Sequence, residues 1–231
     1  TVSESQALGG VCLKWGCNPS KALLAVVELG EKVKKAGPMG LQVSGPVTYN
    51  LPQMVERKNQ VVAGLVKGIA TLFKAWEIEQ VHGLGTIQDR RTVQVKVTDG
   101  TTRSVNADAI VIATGSSWPN LPQFPIDGSQ ILTSQQLLDL QQIPPRLLII
   151  GGGVEGCEFA SLYSALGTDV TIVELMDRIL PLEDEEVSST MTRELKKHNV
   201  NVVTGTTVER LERHGETVAA YLKNGTTLEV Q

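Results

Sequence analysis

A short apolar run, Leu147 to Ile150, passes directly into Gly151-Gly152-Gly153-Val154-Glu155-Gly156, and no other stretch restricts the fold as tightly. The run suits a buried strand, and Val154 to Leu166 suits a helix that Gly167 stops. Further along, Val170 to Glu174 reads as a strand, Glu183 to His198 as a helix and Val200 to Val203 as a strand. This βαβαβ order predicts an α/β fold with a doubly wound parallel sheet. In such a turn Gly151 permits the tight bend, Gly153 lets a pyrophosphate approach the backbone, and Gly156 lets helix and strand close together. Gly152 lies inside the same cradle, and the helix amino terminus faces the phosphates. Glu174 ends the next strand, where a carboxylate can accept from both hydroxyls of an adenosine ribose and repels a 2′-phosphate. The motif points to a dinucleotide, NAD in preference to NADP. The plainer alternative is a glycine turn with a solvated glutamate.

The second constraint is the pair Cys12 and Cys17 in Gly-Gly-Val-Cys-Leu-Lys-Trp-Gly-Cys-Asn-Pro-Ser-Lys. Three cysteines in 231 residues are too few for a secreted disulfide scaffold, so a close pair suggests redox or metal chemistry. A four-ligand zinc site needs two more ligands, and neither Cys157 nor the three histidines stand at ligand spacing. Pro19 suits a first helical turn, and Ala22, Leu23, Val26, Val27 and Val33 continue a helical pattern. Cys17 is therefore expected near a helix amino terminus, which favours a thiolate, with Lys21 one turn on. A redox pair, a metal site and two unrelated buried thiols all remain open on these residues alone, and Lys21 could equally be a solvated lysine.

Residues 37–52 read as a loop, and a second helix runs from about Val55 to Trp76. Short β-rich runs follow at Ile78 to Val81, Thr92 to Val97 and Ala109 to Ala113, with an Asp99-Gly100 turn, which predicts a small antiparallel sheet. A proline-rich stretch is the candidate connection, dividing the chain into 1–118, 119–144 and 145–231. Val218 to Leu222 and Thr226 to Val230 flank Asn224-Gly225 as a hairpin. Charges are mixed, with a net of -4 and no basic runs, so no footprint for nucleic acid or an anionic membrane is present. No apolar stretch reaches the roughly 18 residues of a membrane span, and no signal-peptide pattern opens the chain, so the expected compartment is the cytoplasm.

Leu8-Gly9-Gly10 followed by Cys-x4-Cys-x-Pro-Ser-Lys-Ala-Leu, then Ala113-Thr114-Gly115-Ser116, Ile131-Leu132-Thr133-Ser134, Gly151 to Ala160 and Asp177-Arg178-Ile179-Leu180-Pro181, occur in one order. In this the chain resembles the pyridine nucleotide-disulfide oxidoreductase family, and within it the NAD-linked members that oxidise a dihydrolipoyl group. The resemblance implies FAD and NAD as cofactors, with a partial FAD-binding Rossmann-like domain in 1–118 and an NAD-binding domain in 145–231. It makes Cys12 the interchange thiol and Cys17 the thiol facing the flavin, and it pairs Lys21 with Glu158 beside flavin and nicotinamide. Glu4 takes the FAD ribose, Gly9 and Gly10 the turn before the cysteines, Gly85 a backbone contact to adenine, and Thr114, Gly115 and Ser116 a turn near the cofactor. Gly151, Gly152, Gly153, Gly156 and Glu174 keep their NAD roles, with Val208 beside the adenine. Implied partners are a lipoyl group on an acyltransferase or glycine-cleavage carrier protein and a second copy of the chain. The rivals are an NADPH-driven reductase of glutathione or mercuric ion, and a silent nucleotide-binding remnant.

Against the family pattern, the first FAD strand with its own glycine motif and the later dimerisation domain with a His-Glu pair are not in the sequence, and His82, His198 and His214 lie outside that motif. The chain is thus expected to be an internal piece of a longer enzyme, holding FAD weakly and turning over little by itself. Asn18 and Glu155 stand where the family has aliphatic residues, the latter close to the expected pyrophosphate, and Cys157 reads as a small core residue.

Overall fold

A computed structural model describes residues 2–4, 8–119 and 121–230. The chain divides into two units, Thr1–Asn18 with Asn59–Ser117 and Pro19–Lys58 with Trp118–Gln231.

The first unit holds β1 (Val2–Glu4), α1 (Gly10–Trp15) and the opening of α2 (Cys17–Lys34). It resumes inside α3 (Leu51–Ala75) and continues into β2 (Gln80–Ile87), β3 (Thr92–Val97) and β4 (Thr102–Asn106). The sheet order is β1-β2-β3-β4, with β1 parallel to β2 and the other pairs antiparallel. Aspartates make both hairpin turns: Asp89 accepts from the backbone of Arg91 and Thr92, and Asp99 accepts from the backbone and hydroxyl of Thr101.

Two strand expectations change here. The strand expected from Ile78 starts at Gln80, because the turn that closes α3 reaches Ile78. Glu77 adopts a left-handed φ of 54°, and the Ile78 N–H donates to the Phe73 carbonyl at 2.8 Å, closing a helix-terminating motif. No strand forms at residues 109–113; Val111 and Ile112 are 87% and 71% exposed. β-propensity is realised only where a neighbouring strand supplies a ladder.

The second unit contains α4 (Ser134–Leu137), β5 (Arg146–Ile150), α5 (Val154–Leu166), β6 (Asp169–Val173), α6 (Glu185–Lys197) and β7 (Asn201–Val203). β5, β6 and β7 pair in that order, all parallel, as the alternating pattern predicts. Helix α6 begins at Glu185, two residues later than expected, because the Asp184 side chain caps it by accepting from Glu186 N. The C-terminal hairpin gains a third strand: β8 (Val208–His214) pairs with β9 (Thr217–Leu222), which pairs with β10 (Thr227–Val230). Helix α5 is buried along most of its length, and its Phe159, Leu162 and Tyr163 share a core with Leu23 and Val27 of α2, Leu51, Met54 and Val55 of α3, and Val170 and Ile172 of β6. Lys58, 4% exposed, enters this unit by donating to the Leu138 carbonyl and pairing with Asp139. No described helix is long and apolar enough to cross a membrane.

The β5–α5 turn requires glycine for two different reasons. Gly151 sits at φ +108° while its N–H donates to the Val173 carbonyl at 2.9 Å. At Gly156 the constraint is contact, since a Cβ would stand 2.1 Å from the Gly151 carbonyl oxygen. G156A is expected to cost roughly 3 kcal/mol by overpacking, read as a fall in the denaturation midpoint without change in m.

A carboxylate clasp fastens the proline-rich stretch to the hairpin. Asp127 Oδ1 accepts from the backbone N–H groups of Ser129, Gln130 and Ile131, and Arg213 Nη1 lies 3.0 Å from Asp127 Oδ2. Arg213 Nε also donates to Gln130 Oε1, while Gln130 Nε2 donates to the Gly215 carbonyl. Burial by itself pushes the Asp127 pKa up, but the backbone donors outweigh it and hold the carboxyl at about 2, against an ordinary 3.8. A depressed carboxyl stabilises the fold above its unfolded pKa, and that contribution fades as pH falls from about 4 through about 2. Discounted for solvent screening at this exposed residue, the shift corresponds to about 1 kcal/mol. Urea melts at pH 7, 4 and 2 should show D127A losing about that amount at pH 7 and little at pH 2.

Candidate functional site

Two glycines in left-handed backbone, Gly9 at φ +119° and Gly10 at +63°, turn the chain into α1, which carries Cys12. Gly16 ends that short helix and Cys17 opens α2. The turn leaves the two cysteine Cα atoms 4.7 Å apart, and Cys12 and Cys17 form a disulfide. Both residues are exposed. With the bond formed, the open choice among redox pair, metal site and unrelated buried thiols falls to a disulfide at the start of a helix.

In the second unit, the first turn of α2 and the second turn of α5 meet through one carboxylate. Ser20 Oγ donates to Glu158 Oε2 at 2.8 Å, and the Lys21 ammonium donates to Glu158 Oε1. Lys21 keeps 57% of its side chain exposed and Glu158 21%, whereas Ser20 is buried at 3%. Lys21 and Glu158 were both expected to be here, and the geometry joins them. Ser20 is the residue that sequence reasoning passed over; its only signal was its place between Pro19 and Lys21.

The glycine turn supplies an anion cradle from backbone alone. Gly153 caps α5 without any side-chain hydrogen bond, so the first N–H groups of the helix are not taken by a capping side chain. Nothing lies within 4 Å of where a Cβ would stand on Gly151 or Gly153, which leaves the turn approachable, and the Gly152 side packs on Ile179. These features fit a dinucleotide pyrophosphate. Glu174 is buried, and both its oxygens already hold the turn: Oε2 accepts from Gly152 N at 2.6 Å and Oε1 from Met176 N at 2.8 Å. Glu155 is exposed, away from the core side of the helix. Cys157, 2% exposed, has its thiol pushed up to about 11 by burial first and then by the charges of Glu174 and Glu158, which makes it an inert core residue.

Glu4, Gly85 and Thr114 to Ser116, assigned to FAD by resemblance, belong to the first unit. Glu4 pairs with His82 across the β1–β2 ladder, and its side chain falls outside the described residues. Gly85 is exposed on β2 opposite Val95. Thr114, Gly115 and Ser116 form an exposed irregular stretch with Gly115 at φ +77°. Val208 is buried on β8, in a small cluster with Val173, Ala220 and Leu222.

A family model described as pyridine nucleotide-disulphide oxidoreductase matches residues 1–231. The dihydrolipoyl dehydrogenase of Chlamydia pneumoniae is 39% identical over 211 residues, covering 91% of this chain and 45% of that protein. The dihydrolipoamide dehydrogenase of Chaetomium thermophilum is 40% identical over 219 residues, covering 94% of this chain and 43% of that protein. Among solved structures, LpdA from Mycobacterium tuberculosis superposes with a TM-score of 0.89 at 28% identity, over 99% of this chain and 50% of that one. The chain spans about half the length of the curated relatives it matches. A family match over every residue, together with relatives at such identities, places this chain in the pyridine nucleotide-disulphide oxidoreductase family.

Proposed function

We propose that this chain supplies the disulfide and nucleotide-binding part of an NAD-linked dihydrolipoyl dehydrogenase, a flavoprotein that uses FAD. The observation that carries the reading is the exposed Cys12–Cys17 disulfide at the amino end of α2. In this reading a dihydrolipoyl thiolate attacks Cys12 Sγ, the Cys12–Cys17 bond breaks, and Cys17 leaves as a thiolate that the helix start favours. The second substrate thiol then displaces Cys12, closing the lipoyl disulfide and leaving two reduced cysteines. FAD, when bound beside Cys17, would supply the acceptor for this electron pair and the hydride chemistry toward the nicotinamide. Glu4, Gly9, Gly10, Gly85 and Thr114 to Ser116 are the residues proposed to hold FAD. Lys21 and Glu158 form the charged pair proposed to lie beside the flavin and nicotinamide. Gly151, Gly152, Gly153 and Gly156 cradle the NAD pyrophosphate, with Val208 beside the adenine. Glu174 has lone pairs left after its two backbone bonds to accept from the ribose hydroxyls, and its charge disfavours a 2′-phosphate. The proposed partners are a lipoyl group on an acyltransferase or glycine-cleavage carrier protein and a second copy of the enzyme, in the cytoplasm.

In the enzyme expressed from its complete reading frame, C12S should lower dihydrolipoamide oxidation by at least about 10³-fold, because exchange has no sulfur to attack. Retained turnover in C12S would overturn the assignment. Steady-state kinetics with the two nicotinamides should favour NAD over NADP by about 100-fold in kcat/KM, the size expected for placing like charges together. A preference for NADP(H) would instead support the glutathione- or mercuric-type reductase, and nucleotide binding with no electron transfer to any dithiol would support a silent remnant.

A further inference from the structure

Ser20 and Lys21 donate to the two oxygens of one carboxylate with very different freedom. Lys21 reaches Glu158 Oε1 on a flexible stem with 57% of its side chain exposed. An exposed ammonium with three rotatable donors follows a carboxylate and does not fix its plane. The last torsion of a glutamate is broad, so Glu158 needs a second anchor before Oε1 has a defined position. Ser20 meets that need: it is 3% exposed, sits in the first turn of α2 after the buried Pro19, has one side-chain torsion, and donates to Oε2 at 2.8 Å. A hydrogen bond from a buried hydroxyl to a charged oxygen is stronger than a neutral one and keeps its geometry.

We propose that Ser20 is the positioning residue of the Lys21–Glu158 pair, orienting the Glu158 carboxylate through Oε2 so that Oε1 holds the Lys21 ammonium in one place. The consequence for turnover rests on the proposed role of that pair, whereas the positioning itself belongs to this chain and needs no cofactor.

Site-resolved acetylation of the chain by acetic anhydride, followed by mass spectrometry, reads how firmly Lys21 is held, with the exposed Lys32 and Lys74 as internal references. S20A and S20C should each raise Lys21 acetylation about threefold, and S20T, which keeps the hydroxyl, should stay near the parent rate. E158Q should raise it at least as much, and adding S20A to E158Q should raise it no further, because residues acting through one contact are not additive. Parent-like labelling in both S20A and S20C would overturn the proposal. So would an equal increment from S20A in the E158Q background, since that is the signature of loosened packing and not of an oriented carboxylate. In the holoenzyme, S20A should lower kcat about tenfold, with KM for dihydrolipoamide unchanged and S20T restoring the rate. Shifted labelling with unchanged turnover would keep Ser20 as the positioning residue and overturn the assignment of the Lys21–Glu158 pair to the reaction.

Discussion

The second unit depends on one close approach, the backbone of Gly156 against the carbonyl of Gly151. That contact lets α5 start after the three-glycine turn that follows β5 and lie against the sheet, so the side chains of its buried face enter the core shared with α2 and α3. It also sets the direction of the helix start. With no side-chain cap at Gly153, the partial positive charge of those N–H groups stays available to an anion. A steric fact in the backbone thus fixes both the packing of the unit and the polarity of its candidate binding surface.

The same helix joins the glycine turn to the first turns of α2. Glu158 lies two positions beyond Gly156, so its carboxylate inherits its place from the glycine turn and its orientation from the first turn of α2. The charge is half-screened by solvent on the lysine side and sealed on the serine side. In this one-sided arrangement the anion is anchored from the buried side and the cation pairs with it from the solvent side.

Local chemistry was legible in the sequence; long-range contact was not. The order β5-α5-β6-α6-β7 could be read because each element writes its own period and each boundary its own glycine or cap. The two cysteines stood out by their separation of five residues, and the resemblance to the family, not the spacing, singled out redox pairing among the open alternatives. Ser20 was not, because its partner lies 138 positions away and nothing in a serine at a helix start announces a buried acceptor. β8 was missed because Arg210, Glu212 and Arg213 give it the look of a solvated loop, although Val208 is buried and the strand pairs with β9 on both sides of a register shift between Val208 and Arg210. The opposite error, at residues 109–113, came from strand-like side chains with no ladder to join. Glu77 shows a third kind of limit: a helix can stop on a left-handed non-glycine residue, which no glycine or proline signal marks.

The double use of Glu174 has an evolutionary side. Its carboxylate is at once the acceptor for two backbone N–H groups and, in the proposed reading, the group that reads the ribose. A lineage drifting toward a phosphorylated nucleotide would have to give up this acid, and with it the tie that holds Gly152 and Met176. The intermediate sequence would carry a loosened turn before any basic residue arrived to reward the change. In the proposed reading, coenzyme choice at this position is guarded by architecture as well as by charge, and a change of preference calls for a second substitution that rebuilds the turn.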